Sequence, residues 1–289
     1  MLWTEILSGD FEKAVEKSNG VCAMVVGCIE HHGRHLPLGQ DVYHTAGVAE
    51  LAAKREPFVL FPHMYFGEKQ GAGEFKGTVI FSSKLMFDLL TECCDEMARN
   101  GFKKIIILNT HGGNVPLLNY FLRAQAYKKR DYATMWTWAQ DSATLNTRPQ
   151  RLLSIVTERK EDFPMITEED IKVLEKFAAM DPNGWGGGHA DFSEAALVMA
   201  TRPELVHEDM YEAESGTSIS RWSRIPRLNL ENSWYANNPQ CYGGFAPYGC
   251  SQSIGQAMMK INAEEMAEMF RRVKADDDLV SIANMVPKT

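Results

Sequence analysis

The sequence predicts an α/β fold: three layers, α/β/α, around a mostly parallel central sheet. Three observations point to it. Residues 21–29 (Val-Cys-Ala-Met-Val-Val-Gly-Cys-Ile) form a nearly continuous apolar run, the pattern of a strand buried on both faces. Residues 104–108 (Lys-Ile-Ile-Ile-Leu) repeat that pattern and are the clearest strand in the chain. Longer helical segments alternate with these short runs, and such alternation marks a parallel sheet under helices.

Taken in order, residues 42–54 read as a helix and residues 58–61 as a second short strand. A Gly-rich loop over residues 67–77 leads to a further short strand at 78–81. A helix over 83–100 is closed by Gly101, where a left-handed residue is wanted. After the strand at 104–108 come Asn109-Thr110-His111-Gly112-Gly113-Asn114 and an apolar helix over 116–127. Residues 140–182 are polar and partly helical, with Thr167-Glu168-Glu169-Asp170 suited to start a helix. A Gly-rich turn at 184–188 leads into His189 and a helix through Met199. Residues 215–253, rich in Gly, Ser, Pro, Asn and aromatics, read as irregular loop, and 253–272 as an amphipathic final helix. No internal repeat or linker divides the chain, so residues 1–289 are expected to form a single domain.

Bulk properties exclude several classes. The chain has 289 residues, 45% hydrophobic and 24% charged, with a formal net charge of -8. That charge disfavours a nucleic-acid surface, which needs clustered Lys and Arg. The dense basic stretch Lys128-Lys129-Arg130 is more simply the solvated end of a helix. No run approaches the ~18 apolar residues of a membrane span. The N-terminus lacks the basic and apolar regions of a signal peptide, and the six cysteines form no CxxC pair. A cytoplasmic protein without membrane or nucleic-acid partners is expected.

Chemistry concentrates at the carboxyl ends of strands, where α/β folds build their ligand sites. His31, His32, His35 and His44 lie within fourteen residues, in company with Glu30 and Asp41. Alternation at a strand end would direct Glu30 and His32 to the same side. Imidazole with carboxylates is the ligand set of zinc, manganese or iron. Taken alone, the run is also compatible with a His-rich surface loop. His111 adds a candidate ligand after the second strong strand, beside a Gly-Gly turn that allows close backbone approach to a ligand. A third cluster, Gly186-Gly187-Gly188-His189-Ala190-Asp191-Phe192-Ser193-Glu194, adds a histidine and two carboxylates. Glu194 alone reads as an ordinary first-turn helix carboxylate. A serine-hydrolase elbow, a phosphate loop and a dinucleotide loop are all missing from the sequence.

Together these clusters resemble the creatininase family of metal-dependent hydrolases, whose signatures run E-Q-H-G-x-H-L-P-x-x-x-D, N-G-H-G-G-N and H-A-x-x-x-E-T-S. The matching residues here are Glu30-His31-His32-Gly33-Arg34-His35-Leu36-Pro37-Leu38-Gly39-Gln40-Asp41, then residues 109–114, then 189–194. Weaker echoes lie at Phe75-Lys76-Gly77-Thr78 and Tyr242-Gly243-Gly244, so the resemblance spans about residues 20–260. It implies a creatininase-like fold and a site for two divalent ions, Zn or Mn, with Fe an option. Asp41 would bridge them, with Glu30 and His111 on one ion and His32 and Glu194 on the other. His189 would be the catalytic proton carrier and His35 would orient the ligand loop. Trp185, Gly112 and Thr78 would contact substrate.

Departures bear on the substrate. True creatininases carry a glutamate ligand where Gly113 stands, so Glu194 must supply that ligand. His31, Thr110, Gln40 and Ala195-Ala196 also differ from the usual Gln, Gly, Thr and Thr-Ser. The expectation is hydrolysis of a cyclic or formyl amide in a small polar molecule other than creatinine. Alternatives are hydrolytic carbon–carbon ring opening of a cyclic polyol ketone such as a diketo-inositol, a non-catalytic metal-retaining binding protein, and a mononuclear site. Trp136, Trp138, Trp222 and Trp234 could also wall a pocket, although tryptophans more often fill cores or interfaces. The resemblance further implies a homo-oligomer, often a hexamer, with the aromatic loop 215–250 as a candidate interface.

Overall fold

The structure is a computed structural model that describes residues 1–69, 72–138, 149–180, 188–225 and 232–285. Its centre is a sheet of four parallel strands, β1 (Val21–Val26), β2 (Val59–Leu60), β3 (Lys104–Asn109) and β4 (Ala133–Trp138), in the order β2-β1-β3-β4. The helices are α1 (Phe11–Lys17), α2 (Gln40–Arg55), α3 (Ser83–Arg99), α4 (Asn114–Gln125), α5 (Pro149–Glu158) and α6 (Glu168–Met180). They continue with α7 (Phe192–Thr201), α8 (Ser233–Asn237), α9 (Gln252–Ala275) and α10 (Leu279–Ala283).

The three layers follow from the alternation of side chains along β1 and β3. Every residue of both strands is buried. Val21, Ala23, Val25, Ile106 and Leu108 point to one face, packed with apolar residues of α2, α5, α6, α7 and α9. Cys22, Met24, Val26, Ile105 and Ile107 point to the other, packed with α3 and α4. A strand buried on both faces is filled by apolar side chains along its middle, which is why these runs read as continuously apolar, with the polar Lys104 and Asn109 only at the ends of β3.

Strand order places the site. The chain leaves β1 into α2 on one face and leaves β3 into α4 on the other. β1 and β3 are neighbours, paired from Val21↔Lys104 to Val26↔Asn109. Their following loops therefore diverge, and the carboxyl ends of β1 and β3 flank the crevice where such sheets bind ligands. Asn114 ties that rim together: its Oδ1 accepts from Glu68 N (2.7 Å), and its amide donates to Gly27 O (3.3 Å) and Asn109 Oδ1 (3.0 Å).

Two expectations differ from what is found. Residues 78–81 are not a strand; Phe81 makes only an isolated bridge with Glu68, and Val79 N donates to Ile29 O at 2.9 Å. Both edges of β1 are already taken by β2 and β3, so this segment pairs with the loop beyond β1 instead. β4, which the apolar pattern did not single out, is the strand beside β3. Its residues Thr-Met-Trp-Thr-Trp are only half-buried, as befits a sheet edge, and lack the continuous apolar run of a central strand.

Gly27, just beyond β1, sets how closely α2 approaches the sheet. A Cβ there would lie 2.7 Å from Val42 Cγ2 and 2.8 Å from Asp41 Cβ. Gly27→Ala is therefore expected to destabilise the fold by about 2 kcal/mol through overpacking, measured as a lowered midpoint in denaturant titration.

Candidate metal centre

The three loops that the sequence singles out converge beyond β1 and β3. Glu30, His32, Asp41, His111 and Glu194 are all buried. Asp41 lies in the first turn of α2, where a helix N-terminus favours a carboxylate. Its two oxygens face different imidazoles: Oδ2 is 3.4 Å from His111 Nδ1, and Oδ1 is 3.4 Å from His32 Nε2. Glu30 Oε1 is 2.7 Å from His111 Nδ1, and Glu194 Oε2 is 3.7 Å from His32 Nε2. Among the described residues three compact donor sets result, Glu30–Asp41–His111, His32–His189–Glu194 and Glu30–His189–Cys241, the ligand atoms of each lying within 4.8 Å of one another.

Hydrogen bonds fix which ring nitrogen points inward. His32 Nδ1 donates to Glu30 O at 3.1 Å, and His111 Nε2 donates to Glu68 O at 3.1 Å. A carbonyl only accepts, so the proton sits on the outer nitrogen and the inner one faces the carboxylates. His189 Nε2 likewise donates to His31 O at 2.9 Å, leaving Nδ1 3.9 Å from Glu30 Oε1. The His32 and His189 rings stack at 4.2 Å.

The turn before α7 holds the third cluster. Asp191 caps the helix by accepting from Ser193 N and Glu194 N, and Ala190 N donates to Glu194 Oε2 at 2.5 Å. Glu194 is thus a first-turn carboxylate and a member of the cluster at once. Ala190 has φ 60° and His189 exchanges both backbone bonds with Gly243, so the backbone around His189 is tightly specified. His35 Nε2 donates to Ala190 O at 2.8 Å, linking the first loop to the third.

Several structural relatives share this architecture. The chain matches the creatininase family model, described as creatinine amidohydrolase, over residues 4–270. The chain belongs to the creatininase family. Members of this family are metal-dependent amidohydrolases, and this chain is a hydrolase of that kind. It is 23% identical to the creatinine amidohydrolase of Pseudomonas putida over 220 residues, 71% of this chain and 73% of that protein. A mycofactocin precursor peptide peptidase of Mycolicibacterium smegmatis is 35% identical over 115 residues, 37% of this chain and 45% of that one. A crystal structure of creatininase covers 95% of this chain and 98% of its own, with TM-score 0.71 and 18% identity.

Within this creatininase-family fold, the remaining sequence-predicted residues have distinct places. Thr78 Oγ1 accepts from His31 N at 3.2 Å and so holds the first loop. Gly112 is exposed with open space around it, whereas a Cβ on Gly113 would collide with His111 Nε2 and Glu68 O. The absolute need for glycine is therefore at 113. Trp185 lies outside the described residues. His44 is buried within α2, and burial, followed by the influence of His32, pushes its pKa down to about 4 despite Asp41, as for a neutral core histidine. Trp136 pairs with Trp138 at 6.1 Å, while Trp234 stands 5.3 Å from the His189 ring.

Three participants escaped the motif reading. Lys69 forms an ion pair with Glu30 Oε2 and lies 3.7 Å from Cys241 Sγ, which in turn is 3.6 Å from His189 Nε2. Glu214 holds the first loop by a 2.7 Å contact to His31 Nε2, whose ring also stacks on Phe75 at 4.2 Å. None of Lys69, Cys241 or Glu214 stands in a motif; only the folded chain brings them to the strand ends.

The electrostatics gather protons around the buried carboxylates. Burial opposes protonation of His32 and His111, yet Glu194 and Asp41 raise His32 to about 9, and Glu30 and Asp41 raise His111 to about 10. Burial, with Asp41 and Asp191, pushes Glu194 up to about 8 against the pull of His32. Burial, then His32, pushes His189 down to about 3. Near pH 7, His32, His111 and Glu194 therefore each hold a proton that a bound cation must displace. Divalent-metal affinity is expected to rise with pH up to about 8 and beyond, flattening only above about 10. Calorimetric titration in buffers of different ionisation heat should show net proton release; uptake of protons on binding would contradict this account.

Proposed function

We propose that this chain uses two divalent ions, Zn or Mn (with Fe an option), to hydrolyse a cyclic or formyl amide in a small polar molecule other than creatinine. The observation that carries this reading is Asp41, a member of the Glu30–Asp41–His111 set whose other oxygen faces His32 of the neighbouring set at 3.4 Å. The residues present fit two ions. Glu30, Asp41 and Glu194 bring three buried carboxylates onto the inner nitrogens of His32 and His111, a ring of oxygen and nitrogen donors shut off from water whose charges are costly to bury unless matched by positive charge. Glu30, Asp41 and His111 would hold one ion, and His32, Asp41 and Glu194 the other. Solved relatives include a Zn–Zn type and an Mn form of creatininase.

Two ions there would supply Lewis acidity toward the scissile carbonyl and lower the pKa of attacking water. The protein's own contribution centres on His189. Its Nε2–H is fixed on His31 O, so Nδ1 accepts a proton on the cluster side and returns it to the leaving nitrogen. His35, through Ala190 O, keeps that turn in register. Both curated relatives named above cleave amides by name, one in creatinine and one in a peptide precursor. Gly113 in place of the glutamate ligand, with Glu194 supplying the carboxylate, separates this chain from creatinine hydrolysis.

The same reading includes a homo-oligomer, supported by exposed Ile219, Ile225, Trp234 and Tyr248 on the 215–250 segment. Six unpaired cysteines suit a cytoplasmic location.

A screen of amides, lactams and cyclic ketones with Zn- or Mn-reconstituted protein should find amide turnover. Activity confined to ketones would replace this reading with carbon–carbon ring opening, and none at all would leave a metal-binding protein. His189→Ala is expected to lower kcat by about 10²-fold or more while sparing bound metal; loss of metal in that variant would refute its role as proton carrier. Glu194→Ala should lower metal content from near two per chain to near one, as read by elemental analysis. Unchanged content would sink the two-ion assignment.

A further inference from the structure

Lys69 stands out as a cation placed where a metal centre has no need of one. It lies on the loop after β2, only 8% exposed, and among the described residues its ammonium has three neighbours. One is Glu30 Oε2, with which it pairs, and the second is Cys241 Sγ at 3.7 Å. The third is the face of Trp234, whose ring centroid lies 5.5 Å away. Burial pushes Cys241 up to about 12, so that neighbour is a neutral thiol and gives the ammonium little compensation. Glu30 offsets the cost of burying the ammonium and keeps it charged, while the same carboxylate also faces His111.

Charge balance sharpens the point. The cluster holds three carboxylates, from Glu30, Asp41 and Glu194. Two divalent ions together with Lys69 outweigh them by two positive charges, so attacking hydroxide would still leave an uncompensated one. Lys69 is linked to the surface through Trp234. Trp234 is 43% exposed and stands both over the ammonium and 5.3 Å from the His189 ring, so one indole spans from solvent to both groups. An ammonium is a compact charge with three donors, suited to an anionic group at this position.

We propose that Lys69, covered by Trp234, is a specificity-determining residue, and that the substrate carries a carboxylate close to its scissile carbonyl. This deepens the two-ion hydrolase reading and rests on it. The competing role, Lys69 merely orienting Glu30 toward the metal, has a different signature: it would be lost together with metal rather than with ligand charge.

The test is calorimetric binding to zinc-reconstituted protein, using N-acetylglycine and its neutral counterpart N-acetylglycinamide as probes. The native chain is expected to bind the acid at least about tenfold more tightly. Lys69→Met and Lys69→Gln, with zinc content unchanged, should bring the two probes within about twofold, and Lys69→Arg should retain most of the preference. The proposal is overturned if the uncharged variants keep the acid preference, since the metals alone would then bind the carboxylate. It is equally overturned if the native chain shows no preference or binds neither probe at millimolar concentration, or if both uncharged variants lose zinc. An acid preference that vanishes with Lys69 in a protein hydrolysing no amide would instead refute the hydrolase reading and leave the carboxylate site standing.

Discussion

A buried carboxylate shared between two imidazoles is the interaction on which the rest of this structure depends. Asp41 sits beneath the ends of β1 and β3, with one oxygen toward His111 and the other toward His32. Glu30 and Glu194 flank it in the same buried space. Like charges so close, and so far from water, repel one another strongly, and burial drives Glu194 toward its protonated form. Protons on His32 and His111 relieve this in part; cations relieve it fully. The local chemistry is thus directed at binding positive charge before any substrate is considered.

The scaffold delivers those groups by topology. Because β1 feeds α2 on one face and β3 feeds α4 on the other, the two loops part at their strand ends and leave a crevice lined by both. Gly27 lets the start of α2 press against the sheet, which brings Asp41 to the rim. Glu194 arrives from far along the chain, in the first turn of α7, and α7 packs against α2 and α9 within the same apolar layer. The cluster therefore exists only when the whole layer is assembled, so any ion held by it would stabilise the folded chain over the unfolded one.

Much of this was legible in the sequence, for identifiable reasons. Buried parallel strands leave continuous apolar runs, so β1 and β3 stood out, and ligands that follow strand ends inherit their position from them. The residues of the three motifs do converge, with His189 beside them. What was not legible depends on contacts between distant segments. β4 was hidden because an edge strand of Thr, Met and Trp has no continuous apolar signal. Residues 78–81 resembled a strand by composition but had no free edge to join. Lys69 and Cys241 carry no motif; their significance comes from a fold that sets residues 69 and 241 within 3.7 Å of each other. Gly112 and Gly113 look alike in sequence, and only the packing of His111 and Glu68 O distinguishes them.

The difference between those two glycines has an evolutionary consequence. The turn after β3 presents His111 to the cluster and packs Gly113 against it, while position 112 between them looks out on open space. New side chains can be tried there without disturbing the donors. Freedom to vary and constraint therefore alternate residue by residue along one turn, and a change of side chain at 112 alters the rim of the site without moving the imidazole beside it.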